Sequence, residues 1–356
     1  MILFASAFFI SFLATPLVIR LYKLLGIVDV PSPKKLMTTH TQPVPRGGGI
    51  PIFLSLALTI VLFVGIDQHF AGILIGAVLL TAIGIFDDRY DLSPYVRLGL
   101  LFLGAGFVVA SGIGIPFLNI PFFGIIHLDE PKIAFTAFGA VRHIWILADL
   151  FALVWIVALS NFVNWSKGVD GQLPGIVAIA AAVIGMLSLR FASDAGQIPV
   201  LILSLITAGA YLGFLPWNFY PQKMMPGYGG GVLGGYLLAV MSILSTAKVG
   251  TLFVVLGIPL IDAGYAIIRR LLQGKSPVWG DRGHLHHHLL DDLHWSRRKI
   301  AVFYWSVTAF LGFVALYLNS QQKFYTMLGV ALAIGGTLLW LTHSGQFSRP
   351  QDRSDG

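Results

Sequence analysis

The sequence predicts an all-α, polytopic membrane bundle. Of its 356 residues, 56% are hydrophobic and only 11% carry a charge, and the mean hydropathy is +0.81. A soluble domain usually carries about a quarter charged residues, so a soluble class is excluded. Apolar stretches long enough to cross a bilayer recur along the whole chain with short polar breaks between them. The net charge of +7 then reads as cytoplasmic loops facing an anionic leaflet, not as a nucleic-acid surface. With no cysteine in the chain, disulfides, thiolate metal sites and a cysteine nucleophile are excluded.

Each stretch follows from local hydropathy. The N-terminal run MILFASAFFISFLATPLVIR has no basic residue ahead of its apolar core, so it reads as a first transmembrane helix and not a cleaved signal. Further helices are expected near 50–66, 71–86, 98–111, 144–160, 175–189 and 198–215, after a first near 2–19. Four more follow near 231–246, 250–268, 300–318 and 325–341. This amounts to about eleven spans, or ten where a window merges neighbours. The segment from Gly112 to Phe138, rich in Gly, Pro and Phe, reads as a surface hairpin or a half-embedded stretch. Residues 1–342 are expected to form a single transmembrane domain, with 343–356 a disordered cytoplasmic tail.

Loop charge orients the bundle. Loops after odd-numbered spans hold Lys23, Lys34, Lys35, Arg46, Arg89, Arg97, Lys167, Lys223, Arg269, Arg270 and the basic residues up to Lys299. Loops after even-numbered spans hold chiefly Lys132, Arg142, Arg190 and Lys248. The basic set is cytoplasmic by the positive-inside rule, so the N-terminus lies outside and the C-terminus inside. The unusual polar clusters all fall in that same set: PVPRGGG, DDRYD, NFVNWSKGVDG, PWNFYPQKMMPGYGGG and GDRGHLHHHLLDD. Five loops converging on one face describe an interfacial active site.

The acids come first. Asp87, Asp88 and Asp91 follow an apolar stretch that carries no charge after Asp67. Carboxylates at a helix C-terminus oppose the dipole, and acids at a membrane edge are functional candidates. A solvated helix end with Arg89 as partner is the plainer alternative. Asn161, Asn164, Lys167, Asp170 and Gly171 share one loop, where glycine permits close approach to a ligand; an ordinary turn would look the same. Arg46 beside three glycines suits an anion. His284, His286, His287 and His288 lie with Asp281 and Arg282, either as a transition-metal site or as neutral donors to a diphosphate. The absence of a closed zinc spacing favours phosphate. Asp149 reads as a partner of Arg142 or His143, and Asp262 as either a bundle counter-ion or a site residue.

Together these loops resemble the polyprenyl-phosphate N-acetylhexosamine-1-phosphate transferases, which include the undecaprenyl-phosphate GlcNAc-1-phosphate and phospho-N-acetylmuramoyl-pentapeptide transferases. The family's PxPRxGG is met from Pro43 to Gly48 and its DDxxD by Asp87, Asp88 and Asp91. The stretch GIPLIDAGYAIIRRLLQGKSPVWGDRGHLHHHLL is similar to the GlcNAc-1-phosphate branch. The resemblance implies transfer of a sugar-1-phosphate from a UDP-N-acetylhexosamine, GlcNAc before MurNAc-pentapeptide, to polyprenyl phosphate. UMP is released, and the pathway is cell-envelope glycan synthesis at the plasma membrane. It implies magnesium, or manganese in its place, at Asp87 and Asp88. The expected catalytic set is Asp87, Asp88, Asp91, Asp170 and His284. Substrate contacts are expected from Arg46, Arg97, Asn161, Asn164, Lys167, Gly171, Asn218, Asp262, Arg282, His286 and His287. Partners are the two substrates and the lipid bilayer, without nucleic acid and with a homodimer left open.

Two positions depart from the family. Its NxxNxxDGxDG has an aspartate where this chain has Lys167, and its GDxGS has an aspartate where this chain has Tyr228 within GYGGG. The site loses two carboxylates and gains an ammonium, about three charge units at neutral pH. Magnesium can be held by one or two carboxylates plus substrate phosphates. A catalytically degenerate lipid-phosphate binder or scaffold is the main rival, and a secondary transporter the weaker one.

Overall fold

The computed structural model describes residues 1–31, 42–137, 140–244 and 249–348. Lys34, Lys35 and Lys248, which enter the loop-charge argument, and the tail beyond Ser348 lie outside them. Helix α1 (Ile2–Leu24) leads into the two-residue strands β1 (Val28–Asp29) and β2 (Val44–Pro45), then α2 (Gly49–Phe63), α3 (Gln68–Tyr90) and α4 (Pro94–Ala110). Two antiparallel hairpins follow, β3 (Phe117–Ile120) with β4 (Gly124–His127) and β5 (Lys132–Ala137) with β6 (Ala140–Trp145). The chain then runs through α5 (Ile146–Trp165), α6 (Gln172–Arg190), α7 (Gln197–Asn218) and α8 (Gly227–Leu244). It ends with α9 (Val249–Val255), α10 (Gly257–Leu272), α11 (Leu285–Asp291), α12 (Arg297–Ala315) and α13 (Ser320–Ser348).

The all-helical expectation holds for the bundle, with the hairpins added to it. Of the segment from Gly112 to Phe138, the described residues to Ala137 take a hairpin form, and strands β3 and β4 are almost wholly exposed. Phe122, at the tip of the first hairpin, packs edge-on against Phe324 and Tyr325 of α13. Each expected apolar stretch becomes helix, but not each becomes one full span. Among the described residues, eight helices are long and apolar enough to cross a membrane, while α2 and α4 are shorter apolar helices. The expected ninth span, 250–268, is two helices bent by 82°. The sequence Gly257-Ile258-Pro259 explains the break. Proline has no N–H to give to the preceding turn and is favoured at a helix start.

The bundle is built around α8, whose apolar window is 94% buried, against 11% for α13. Lipid offers helices no hydrophobic drive to associate, so small residues that let backbones meet are the means of close packing. A Cβ on Gly84 of α3 would lie 2.5 Å from the Gly229 Cα of α8. Helix α3 starts cleanly because Asp67 accepts from the Phe70 amide at 2.7 Å, and ends at Asp91, which has φ 49°. Asp149 lies in the first turn of α5 and accepts from the Trp145 amide at 3.1 Å, which favours an acid at a helix start. That backbone contact replaces the expected one with His143; the Arg142 side chain is outside the described residues.

Candidate active site

The loops after α1, α3, α5, α7 and α10 meet at one end of the bundle around a cavity of about 1000 Å³. One wall is charged, with Arg46, Asp87, Asp88, Arg97 and Lys167. A second carries Arg270, His284, His286 and His287. A third is apolar, formed by Leu98 and Phe102 of α4, Val154 and Val157 of α5 and Ile267 of α10.

The last turn of α3 places Asp87 and Asp88 at the cavity despite the opposing helix dipole. Cations from other loops compensate. Arg97 Nη1 donates to both Asp87 oxygens, at 2.9 and 3.1 Å. Asp88 lies over Gly227, where a Cβ would stand 2.9 and 3.0 Å from its two oxygens, and Gly227 has φ +67°. Buried Asp88 Oδ1 meets no hydrogen-bond donor. Arg89, the expected partner of the acids, instead points to the Leu25 carbonyl at 3.5 Å. Asp91 lines the cavity but is exposed.

Lys167 Nζ donates to the Gly227 carbonyl at 2.9 Å. Burial pulls its ammonium down to about 8; Asp87 and Asp88 hold it up, and Arg46 and Arg97 push against it. The Tyr228 ring lies beneath two cations, 5.1 Å from the Arg97 guanidinium and 5.9 Å from Lys167 Nζ. Arg46 pairs with Asp29 at 3.4 Å.

Asn161 and Asn164 also line the cavity. Asn161 Nδ2 donates to the Val157 carbonyl of its own helix at 2.9 Å, whereas buried Asn164 Oδ1 has no donor. Asp170, Gly171 and Asn218 stand behind the wall. Asp170 accepts from the Gln222 amide at 3.3 Å and lies 3.7 Å from Arg297. Gly171, at φ +80°, donates its amide to Asn218 Oδ1 at 3.0 Å. Asn218 Nδ2 donates to Gln222 Oε1 and the Met224 carbonyl. With its amide so committed, Asn218 braces the loops instead of reaching into the cavity.

The histidine wall has its own scaffold. Asp262 Oδ2 holds His284 Nδ1 at 2.9 Å, and Oδ1 accepts from the Leu285 amide at 2.8 Å. Asp262 is therefore a positioning group that fixes His284. Burial, reinforced by the surrounding histidines and Arg282, keeps the His286 imidazole well below its usual value, and the same causes bring His287 down to about 4. Both are neutral near pH 7, with buried Nδ1 atoms that lack partners. Arg282 does not line the cavity; it forms a bidentate pair with Asp291 at 2.7 and 2.9 Å. The arginine beside the histidines at the cavity is Arg270, held by Asp281 Oδ2 and the Pro277 carbonyl, each at 2.8 Å, and stacked 5.2 Å from Trp165. Burial alone would raise the Asp281 carboxyl; bonds from Arg270 and Gly283 hold it well below the carboxylate range. The signal for Arg270 is the spacing Asp262, Ala266, Arg270, which puts all three on one buried helix face.

Magnesium demands a near-octahedral shell of oxygens at short distance. Among the described residues, no group of three or more His, Asp or Glu side chains converges to hold an ion. Arg97 takes both Asp87 oxygens, and the charges of Lys167 and Arg46 act on Asp88. Tyr228 offers a ring where the family pattern has an aspartate. The side chains present do not fit a protein-held magnesium at Asp87 and Asp88.

A sequence model of glycosyl transferase family 4 matches residues 70–246, from α3 through α8. The chain is 33% identical to "Probable undecaprenyl-phosphate N-acetylglucosaminyl 1-phosphate transferase" of Bacillus subtilis (strain 168), over 82% of this chain and 78% of that one. It is 28% identical to "Decaprenyl-phosphate N-acetylglucosaminephosphotransferase" of Mycobacterium tuberculosis (strain ATCC 25618 / H37Rv), over 96% and 88% of the two chains. It is 27% identical to "Phospho-N-acetylmuramoyl-pentapeptide-transferase" of Bacillus velezensis, over 88% and 95%.

Proposed function

Because the chain belongs to glycosyl transferase family 4, we propose that it transfers N-acetylglucosamine-1-phosphate from UDP-N-acetylglucosamine to a polyprenyl phosphate. The observation that carries this reading is one cavity with two kinds of wall. The apolar wall on α4, α5 and α10 suits a prenyl chain arriving from the bilayer, and the charged walls suit the phosphates it must meet. Preference for the GlcNAc donor follows relatives whose names carry that sugar. The cavity opens on the cytoplasmic face of the plasma membrane, because the same loops carry most of the chain's basic residues.

In the reaction an oxygen of the acceptor phosphate attacks the sugar-linked phosphorus. A new P–O bond forms, and the bond to the nucleotide phosphate breaks with its electron pair leaving on UMP. The acceptor phosphate has a second pKa near 6, so it is largely dianionic at neutral pH and needs little base help. Asp88 Oδ1 can take the proton of the remaining monoanion. Arg46, Arg97, Arg270 and Lys167 offset the charge of the diphosphate, and neutral His286 and His287 donate hydrogen bonds, while His284 is fixed beside them by Asp262. Such positioning and charge neutralisation make up most of phosphoryl-transfer catalysis.

A degenerate lipid-phosphate binder is the second reading, favoured by Lys167 and Tyr228 standing where the family pattern has acids. A secondary transporter would place charges at helix breaks near the midplane, but residues 249–259, around the α9–α10 break, contain none. The deciding measurement is radiolabel transfer from UDP-GlcNAc and UDP-MurNAc-pentapeptide to polyprenyl phosphate in purified membranes. Transfer from UDP-GlcNAc alone is expected. Transfer from neither donor would leave the binder reading.

A further inference from the structure

We propose that Lys167 is the resident cation of the transfer site, occupying the role of a divalent metal against the substrate diphosphate, so that transfer proceeds without free divalent ions. This deepens the transferase reading and rests on it.

Three elements fix the ammonium at one point. The loop after α5 carries Lys167, the end of α3 brings Asp87 and Asp88, and the start of α8 supplies the Gly227 carbonyl and the Tyr228 ring. The carbonyl points at Nζ because Gly227 adopts φ +67°, a conformation that a side chain there would strain and crowd against Asp88. The other two cations are committed, Arg97 to Asp87 and Arg46 to Asp29. Lys167 differs from them. Its contacts are a neutral carbonyl and the ring of Tyr228, and no ion pair joins it to a carboxylate within contact distance among the described residues. An ammonium has three donors; one serves Gly227, and two remain for phosphate oxygens. Tyr228 holds the cations by their charge without cancelling it, as an aromatic face does and a carboxylate would not.

The chemistry balances without a metal. A dianionic acceptor phosphate attacks, the bond to the nucleotide phosphate breaks, and UMP departs as a dianion, so total charge is conserved and no proton need move. The requirement is a positive charge beside the phosphate oxygens in the transition state. Lysine supplies that as a point charge in other phosphate sites.

The test uses the full chain in liposomes, with wild type, Lys167→Ala and Lys167→Arg compared in EDTA and across free magnesium. Two readouts are taken: radiolabel transfer to polyprenyl phosphate, and calorimetric binding of UDP-GlcNAc in EDTA. We expect the wild type to keep most of its transfer in EDTA. Lys167→Ala should lose roughly a hundredfold there, the scale of one lost charge-stabilising donor, and bind UDP-GlcNAc about tenfold more weakly, equal to one factor of ten in Kd. Lys167→Arg, which keeps the charge, should stay within about tenfold of wild type in transfer. Wild-type transfer that collapses in EDTA and returns with magnesium overturns the proposal, as does a Lys167→Ala protein equal to wild type in EDTA. Absence of transfer at every magnesium level overturns the transferase reading instead. The binding arm then decides for Lys167: a tenfold loss upholds its phosphate contact, and equal binding refutes it.

Discussion

Asp87 gives both oxygens to Arg97, while Asp88 keeps Oδ1 without a donor. Neutral substitutions should therefore separate the neighbours. Asp88→Asn removes the carboxylate charge at the cavity lining that no arginine takes and is expected to lower transfer about a hundredfold. Asp87→Asn loosens Arg97 and misplaces a charge, a smaller loss of roughly tenfold. Transfer assays normalised to protein in the membrane check this, and equal losses would mean that the two acids share one task. The pH profile isolates Lys167. The groups facing it are Asp87 and Asp88 from α3, Arg97 from α4, Arg46 from the loop after β2 and Tyr228 from α8. Its proton leaves as pH rises through about 8, so a cation becomes a neutral amine and transfer should fall on the alkaline side. Lys167→Arg, always charged, should carry the plateau past pH 9, which is about one unit above the wild-type fall; an unchanged profile would dismiss Lys167 as the titrating group. Asp87, Asp88, Lys167 and the histidines are legible in the sequence because polar clusters are rare in a chain this apolar. Arg282 and Arg270 are harder. Both are arginines close to the histidines, and only the fold shows that Asp291 occupies the first while the second faces the cavity.

At the scale of elements, hydropathy locates the helices but averages across short breaks. That is why 250–268 reads as one span although α9 and α10 meet at 82°. The Gly-Ile-Pro signal at 257–259 is present, but it competes with a long apolar window. The stretch 112–138 was legible as a hairpin or a half-embedded segment but not as two paired hairpins, since exposed strands such as β4 leave no alternating pattern with a buried face. The packing of α8 was not visible at all, because helical glycines reveal their purpose only through what lies opposite. Gly84 and Gly229 give the sharpest case. A Cβ on Gly84 would stand 2.5 Å from a backbone atom, which cannot swing aside as a flexible side chain would. Gly84→Ala is thus expected to cost about 1–3 kcal/mol through overpacking and to lower the melting temperature in detergent. Gly99→Ala, with nothing within 4 Å, is the control; if both melt alike, the α3–α8 contact does not limit stability. Because Asp87 lies within one turn of Gly84, the same substitution should also depress transfer.

For the whole molecule, alternation of short loops has a chemical result. Each pair of helices returns the chain to the same end, so residues as far apart as Asp29 and His287 border one cavity, while the hairpins and the turn carrying Asp194 belong to the loops that alternate with it. The sequence made this grouping readable through charge, since the loops with unusual polar clusters are also the loops with most Lys and Arg. The side of the membrane follows from the positive-inside rule, a statement about biosynthesis, and the bundle alone has no inside or outside. Single cysteines test it without background because the chain has none of its own. Leu92→Cys, in the turn between α3 and α4, and Gly280→Cys, at the cavity rim, should react with an impermeant thiol reagent only after the cytoplasmic side is opened. Asp194→Cys and Phe123→Cys, both at exposed positions, should react from outside in intact cells. Labelling of Gly280→Cys from outside, with Asp194→Cys protected, would invert the bundle. The cavity would then face away from the cytoplasmic pool of nucleotide sugar, and the proposed donor could not reach Lys167, Asp88 or the histidines, however well their geometry suited it.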